Sequence, residues 1–104
     1  MTLLHGTTQK RISYIRAESK IRVGVLCYEE EYDAYRAALP EAWLFSLGKE
    51  QDTAAQAHRL FYHLREADKI GFDKLYAPLP EKDGMGLALY NRLIRAASYD
   101  IKIL

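Results

Sequence analysis

The chain has 104 residues, 49% of them hydrophobic, and its fifteen basic and fourteen acidic side chains leave a formal net charge of +1. That length holds one domain around one core, and that charge lacks the basic excess of a dedicated nucleic-acid binder. The single cysteine, Cys27, excludes an internal disulfide, and with no apolar run near the roughly 18 residues of a membrane span and no signal-peptide core after Met1, a soluble cytoplasmic product is expected.

Along the chain, short apolar runs alternate with helical patterns. "TLLH" (2–5) reads as a short strand ended by Gly6. Thr7 or Thr8 is placed to cap a helix to about Ser19, with Ile12 and Ile15 as a thin apolar face. "IRVGVLCY" (21–28) is the strongest strand, a near-continuous apolar run typical of a strand covered on both faces. Gly24 inside it predicts close approach of another element. Glu29, Glu30, Glu31 and Asp33 favour a helix start, Tyr32, Tyr35 and Leu39 recur at helical spacing, and Pro40 stops the run.

"AWLFSLG" (42–48) reads as another buried strand, closed by Gly48. Asp52 or Thr53 caps the longest helix, whose apolar face is Ala57, Leu60, Phe61, Leu64 and Ala67, with Gly71 as its terminator. "FDKLYAP" (72–78) is a strand, and Pro78 and Pro80 mark the following loop. From Gly86 onward Tyr90, Leu93, Ile94 and Ala97 share one helical face. "YDIKIL" (99–104) reads as an edge strand or a tail, so the core spans about 2–98. Four strand–helix alternations predict an α/β domain. Its sheet should be mostly parallel, with four to five strands and right-handed crossovers. Ligand-bearing loops should then lie near 28–30, 46–52 and 77–86.

Most motifs fall short of a recognised chemistry. "GMGLAL" (84–89) matches the dinucleotide fingerprint in part, but the preceding strand ends too early and no acid follows a further strand. Asp83 and the glycines instead let the loop turn tightly into the helix, and Gly86 permits close packing. "LGKEQDT" (47–53) fails as a phosphate loop, because the first glycine position holds Trp43 and the Ser/Thr position holds Glu50. Ser46 and Gly48, at a strand end, remain candidates for lining a ligand cleft. A phosphoryl-receiver reading fails because Gly48, and no aspartate, follows Leu47. Cys27 has no base nearby in sequence and reads as a buried, inert thiol. His58 and His63 are five apart on one helix, off the four-residue spacing of a shared metal face, and His5 is distant. No metal site and no catalytic residue is assigned. The basic cluster Lys10, Arg11, Arg16, Lys20 and Arg22, answered by Glu29, Glu30, Glu31 and Asp33, reads as a solvated mixed-charge face.

Taken in order, "KIRVGVL", the "SLG" strand end at 46–48, the segment from Ala57 to Ala77 and "G.G.A..NRL..AA" from Gly84 to Ala97 resemble a known family. It is the C-terminal domain of the longer, two-domain form of threonylcarbamoyl-AMP synthase. The resemblance covers about residues 3–98 and rests on the ordered set. It implies a small Rossmann-like, three-layer α/β accessory domain beside a YrdC-like catalytic domain. That enzyme, a nucleotidyltransferase, uses threonine, bicarbonate and ATP to make the adenylate for threonylcarbamoyladenosine in tRNAs reading ANN codons.

The catalytic machinery, with ATP and its Mg companion, belongs to the YrdC-like domain, so no cofactor and no catalytic role is carried to this chain. The sequence opens about where the accessory domain's first strand would start, which predicts either an excised domain or a free-standing relative. The leading expectation is an accessory or regulatory domain that docks, in cis or in trans, on the catalytic domain and helps close its active site. Direct tRNA or membrane contact is not expected. Contact candidates are Ser46, Gly48, Gly84, Gly86, Asn91 and Arg92; Asn91 offers donor and acceptor, Arg92 a forked donor. Two other readings stand: a free-standing small-ligand or nucleotide-binding module, and a homodimeric scaffold using exposed tyrosines of segment 28–35.

Overall fold

The computed structural model describes residues 1–18, 22–80 and 84–104; Ser19, Lys20, Ile21 and Asp83, invoked above, lie outside the described residues. Five strands, β1 (Thr2–His5), β2 (Val23–Cys27), β3 (Trp43–Ser46), β4 (Lys74–Pro78) and β5 (Ile101–Ile103), alternate with four helices. These are α1 (Thr8–Glu18), α2 (Tyr32–Ala38), α3 (Thr53–Ile70) and α4 (Gly84–Ala96), with a 3-10 turn at Glu29–Glu31 before α2. The strands form one sheet in the order β3-β2-β4-β1-β5, and every pairing is parallel. The expected Rossmann-like α/β architecture is present, with five strands.

The order dictates the layers. The chain steps outward from β1 to β2 to β3, then returns to insert β4 and adds β5 at the far edge. Crossovers of one hand then put α1 and α2 on one face and α3 and α4 on the other. Side-chain alternation along the strands agrees. Leu4, Val25, Cys27 and Tyr76 pack with Ile12, Ile15, Tyr35 and Leu39 on the first face. Leu3, Leu26 and Ala77 pack with Leu60, Leu89 and Leu93 on the second. Burying each such aliphatic side chain contributes about 1.5–3 kcal/mol.

Local signals place the ends. The Thr7 hydroxyl accepts from the Lys10 amide at 3.2 Å, and Asp52 Oδ1 from the Ala55 amide at 3.1 Å. Gly71 ends α3 in the left-handed region, φ 74°, with its N–H on the Ala67 carbonyl. Gly24 meets the predicted close approach: a Cβ there would lie 2.9 Å from the Phe72 ring and from Leu75 Cδ1.

Five expectations are corrected or resolved. β3 is an edge strand, with Trp43 48% exposed, because among the described strands it pairs with β2 alone. Phe61 is 45% exposed; it sits one step round the helix from Leu60, just off the buried stripe. Tyr28 and Tyr35 are core residues, so the exposed-tyrosine contact drawn from segment 28–35 loses them. The glycine pair belongs to the first turn of α4 itself, since that helix begins at Gly84. Residues 101–103 form an edge strand pairing β1, closed by the Leu104 amide on the His5 carbonyl at 2.8 Å.

Candidate functional site

In a parallel sheet the connections leave from the carboxyl ends of the strands, and a crevice opens where neighbouring connections run to opposite faces. Here β2 leads to α2 on one face, while its neighbours β3 and β4 lead to α3 and α4 on the other. A cleft of about 500 Å3 lies at this end. His5, Tyr28, Glu50 and Leu79 bring the ends of β1, β2, β3 and β4 to it, and Arg11 and Gln56 reach it from the first turns of α1 and α3. The loops expected near 28–30, 46–52 and 77–86 supply three walls. The end of β1 supplies a fourth wall, for which the sequence carries no local signal. A second depression, about 330 Å3, lies at the opposite, amino ends of β1 and β4, where a parallel sheet offers no diverging connections.

Arg11 and Glu31 form an ion pair at this end, each 7% exposed as a residue. The solvated-face expectation therefore fails for these two residues. Arg11 also donates to the Gly6 carbonyl at 2.8 Å, the Tyr35 hydroxyl at 3.3 Å and the Thr8 hydroxyl at 3.3 Å. Glu31 accepts from the Tyr28 amide at 3.1 Å and the Thr8 hydroxyl at 2.8 Å. The network ties α1 to the turn after β2, and satisfied hydrogen bonds of this kind let a charged pair be buried. Burial pushes the Tyr35 phenol up to about 12 despite its bond to Arg11. Burial, reinforced by the Glu31 charge, raises the Cys27 thiol to about 12 as well. A thiol so shifted, 0% exposed, is the inert cysteine predicted.

Gln56, 1% exposed, is the residue that sequence reasoning missed. Its amide nitrogen donates to the Lys49 carbonyl at 2.9 Å and the Glu50 carbonyl at 2.7 Å, which fixes the loop after β3. The available signal was its spacing: position 56 is four before Leu60, on the apolar stripe of α3.

The six contact candidates are not brought together. Ser46 and Gly48 end β3, where the Gly48 amide donates to Ser46 Oγ at 3.2 Å and the Gly48 carbonyl accepts from the Glu29 amide at 2.8 Å. Gly84 and Gly86 lie in the first turn of α4. Asn91 and Arg92 are exposed on that helix. Arg92 lies over the Phe61 ring, 4.4 Å from its centroid. With Tyr62 58% and Leu87 46% exposed, α3 and α4 present a mixed aromatic, aliphatic and cationic outer face. His63 is held by the Ser46 carbonyl at 2.8 Å, His58 is exposed, and among the described residues no His, Cys, Asp and Glu group could hold a metal ion.

Comparison with known proteins supplies a context for these features. No curated protein sequence matches the chain. Two solved structures of P. abyssi Sua5 do: a crystal structure complexed with L-threonine, at 28% identity and a TM-score of 0.66, and a doubly substituted variant, at 27% and 0.63. Each alignment covers 99% of this chain, so it takes in β5, but only 30% of the longer protein. The family profile described as "Threonylcarbamoyl-AMP synthase, C-terminal domain" matches residues 1–98. The chain therefore belongs to the family of threonylcarbamoyl-AMP synthase C-terminal domains.

Proposed function

We propose that this domain is the accessory, regulatory part of a threonylcarbamoyl-AMP synthase, acting in tRNA threonylcarbamoyladenosine formation in the cytoplasm. It docks on a YrdC-like catalytic domain through the outer face of α3 and α4 and helps close that domain's active site. The carrying observation is Arg92 already stacked on the exposed Phe61 ring, with Tyr62 and Leu87 also exposed on the same two helices and the candidate Asn91 adjacent in sequence. Aromatic residues and arginine are enriched at interface hot spots, and an Arg already stacked on Phe61 loses less freedom on docking. Closure of such a module excludes water from a labile adenylate and biases open and closed states. ATP with its Mg, and all bond-making groups, belong to the catalytic domain in this reading, and no direct tRNA contact is assigned.

The test mixes this chain with a YrdC-like catalytic domain separated from its own C-terminal domain. The expected result is a complex that raises the rate of adenylate formation or the affinity for ATP. Absence of both association and any kinetic change would overturn the docking role.

A further inference from the structure

Two polar side chains in the cleft at the strand ends have hydrogen-bonding capacity that the fold leaves unused. A guanidinium carries five N–H bonds. In Arg11, four are directed to Tyr35, Gly6, Thr8 and Glu31, which leaves one on Nη1. The amide nitrogen of Gln56 is spent on two carbonyls, and because both partners only accept, the amide can stand only this way round. Its Oε1 accepts no hydrogen bond among the described residues. Arg11 from α1, with a donor to spare, and Gln56 from α3, with an acceptor to spare, thus line the same space, each held by internal partners. Spare donor and acceptor capacity on residues that line a cleft is open to water or to a ligand that enters it.

The lining argues against an anion. Backbone N–H groups at strand ends and helix starts are the usual grip for phosphate, and four of those at this end of the sheet already have acceptors. The Tyr28 amide donates to Glu31, the Glu50 amide to Glu30, the Ala55 amide to Asp52 and the Gly48 amide to Ser46. Three of those four acceptors are carboxylates. The Arg11 charge is matched by Glu31, and Glu50 adds a further negative charge to the lining. Leu79 and Pro80 contribute an apolar wall. Uncharged ligands held by a few fixed polar groups against apolar surface suit a cleft of this size.

We propose that this cleft binds a small uncharged molecule whose edge carries a hydrogen-bond acceptor beside a donor, the pattern of a primary carboxamide or an unphosphorylated nucleobase. The acceptor meets the free N–H of Arg11, the donor meets Gln56 Oε1, and the flat face lies against Leu79 and Pro80. The inference is independent of the docking role, because the cleft and the α3–α4 outer face share no residue.

The test is a two-dimensional amide NMR titration of the 104-residue chain with adenosine, cytidine and nicotinamide, and with AMP and inorganic phosphate as charged comparators. Saturable shifts are expected at residues 5–6, 28, 50–56 and 79–80 with at least one neutral probe, and binding about tenfold weaker for AMP than for adenosine if adenosine is the one that binds. A response to nicotinamide alone assigns the carboxamide source; a response to a nucleoside alone assigns the nucleobase. Gln56→Leu removes the acceptor and should weaken binding about tenfold, the scale of one buried hydrogen bond. Gln56 also braces the 49–50 turn, so Thr53→Trp serves as the second variant, filling the cleft while leaving the Arg11–Glu31 network in place; it should weaken binding at least as much. Three results would overturn the proposal: no saturable shift with any neutral probe at millimolar concentration, AMP or phosphate binding as tightly as the neutral probes, or unchanged affinity in folded Thr53→Trp.

Discussion

Arg92 rests its guanidinium on the Phe61 ring, 4.4 Å from the centroid, and so joins the outer surfaces of α4 and α3. A cation held over an exposed ring contributes only about 0.5–1 kcal/mol to stability. The contact costs little to lose in the isolated domain, yet it presents two hot-spot residue types in one fixed arrangement.

Arg92→Ala is therefore expected to shift the unfolding free energy by less than about 1 kcal/mol while weakening association with the catalytic domain about tenfold or more. Arg92→Lys should fall between, because an ammonium keeps the charge but not the planar stack. Denaturant titration reads the first quantity and calorimetric binding the second. A variant that loses stability and keeps affinity would remove Arg92 from the interface.

Gly24 gives a core prediction. Its missing side chain is occupied by Phe72, whose ring also makes edge contacts with Trp43 at 5.6 Å and Phe45 at 5.9 Å between centroids. Gly24→Ala forces that ring or the end of Leu75 to move, and overpacking of this kind costs about 1–3 kcal/mol. Phe72→Leu in the same chain should restore part of the loss, because it shortens the side chain that clashes. Midpoints of urea unfolding for the two single variants and the double variant would show the recovery.

The buried and exposed ion pairs should behave differently. Arg11→Met leaves Glu31 buried without its cation and is expected to cost about 3–5 kcal/mol. Adding Glu31→Gln should cost much less than a second full increment, a coupling of more than about 1 kcal/mol. By contrast, Lys69 and Glu66 pair at 3.4 Å with side chains 74% and 36% exposed. Lys69→Ala should therefore change stability by less than about 0.5 kcal/mol.

The elements were legible in the sequence because each carries a local signal. β2 is a continuous apolar run, Asp52 and Gly71 mark the two ends of α3, and Gly24 announces a close neighbour. What the sequence hides is set by strand order. Nothing local tells that β3 has one neighbour, so Trp43 reads as buried. A periodic stripe gives direction but not width, so Phe61 reads as part of it. Arg11 and Glu31 are 20 positions apart and each looks like a surface charge; only the placement of β2 beside β4, which packs α1 against the turn after β2, makes them partners. Gln56 was the readable miss, a polar residue at a core spacing.

Alkaline pH should expose the cost of two titrating groups in the core, Tyr35 and Cys27. Burial raises Tyr35 from 10.0 and Cys27 from 9.0, each to about 12. For both, the fold favours the neutral form. Their contribution is therefore complete below the unfolded values and is lost as pH rises from about 9 toward 12. Urea midpoints measured at steps from pH 7 to 11 should hold nearly level and then fall, first as the unfolded cysteine ionises and then more steeply as the unfolded tyrosine does. Tyr35→Phe should begin less stable at pH 7, because Arg11 loses an acceptor, yet show a shallower decline above pH 10. Cys27→Ala should remove the earlier part of the decline. Consistently, the native thiol should resist a maleimide at pH 8 and react once urea unfolds the chain, since the nucleophile is the thiolate and the native fold suppresses it. A Tyr35→Phe chain whose alkaline slope matches that of the unmodified protein would show that the decline arises elsewhere.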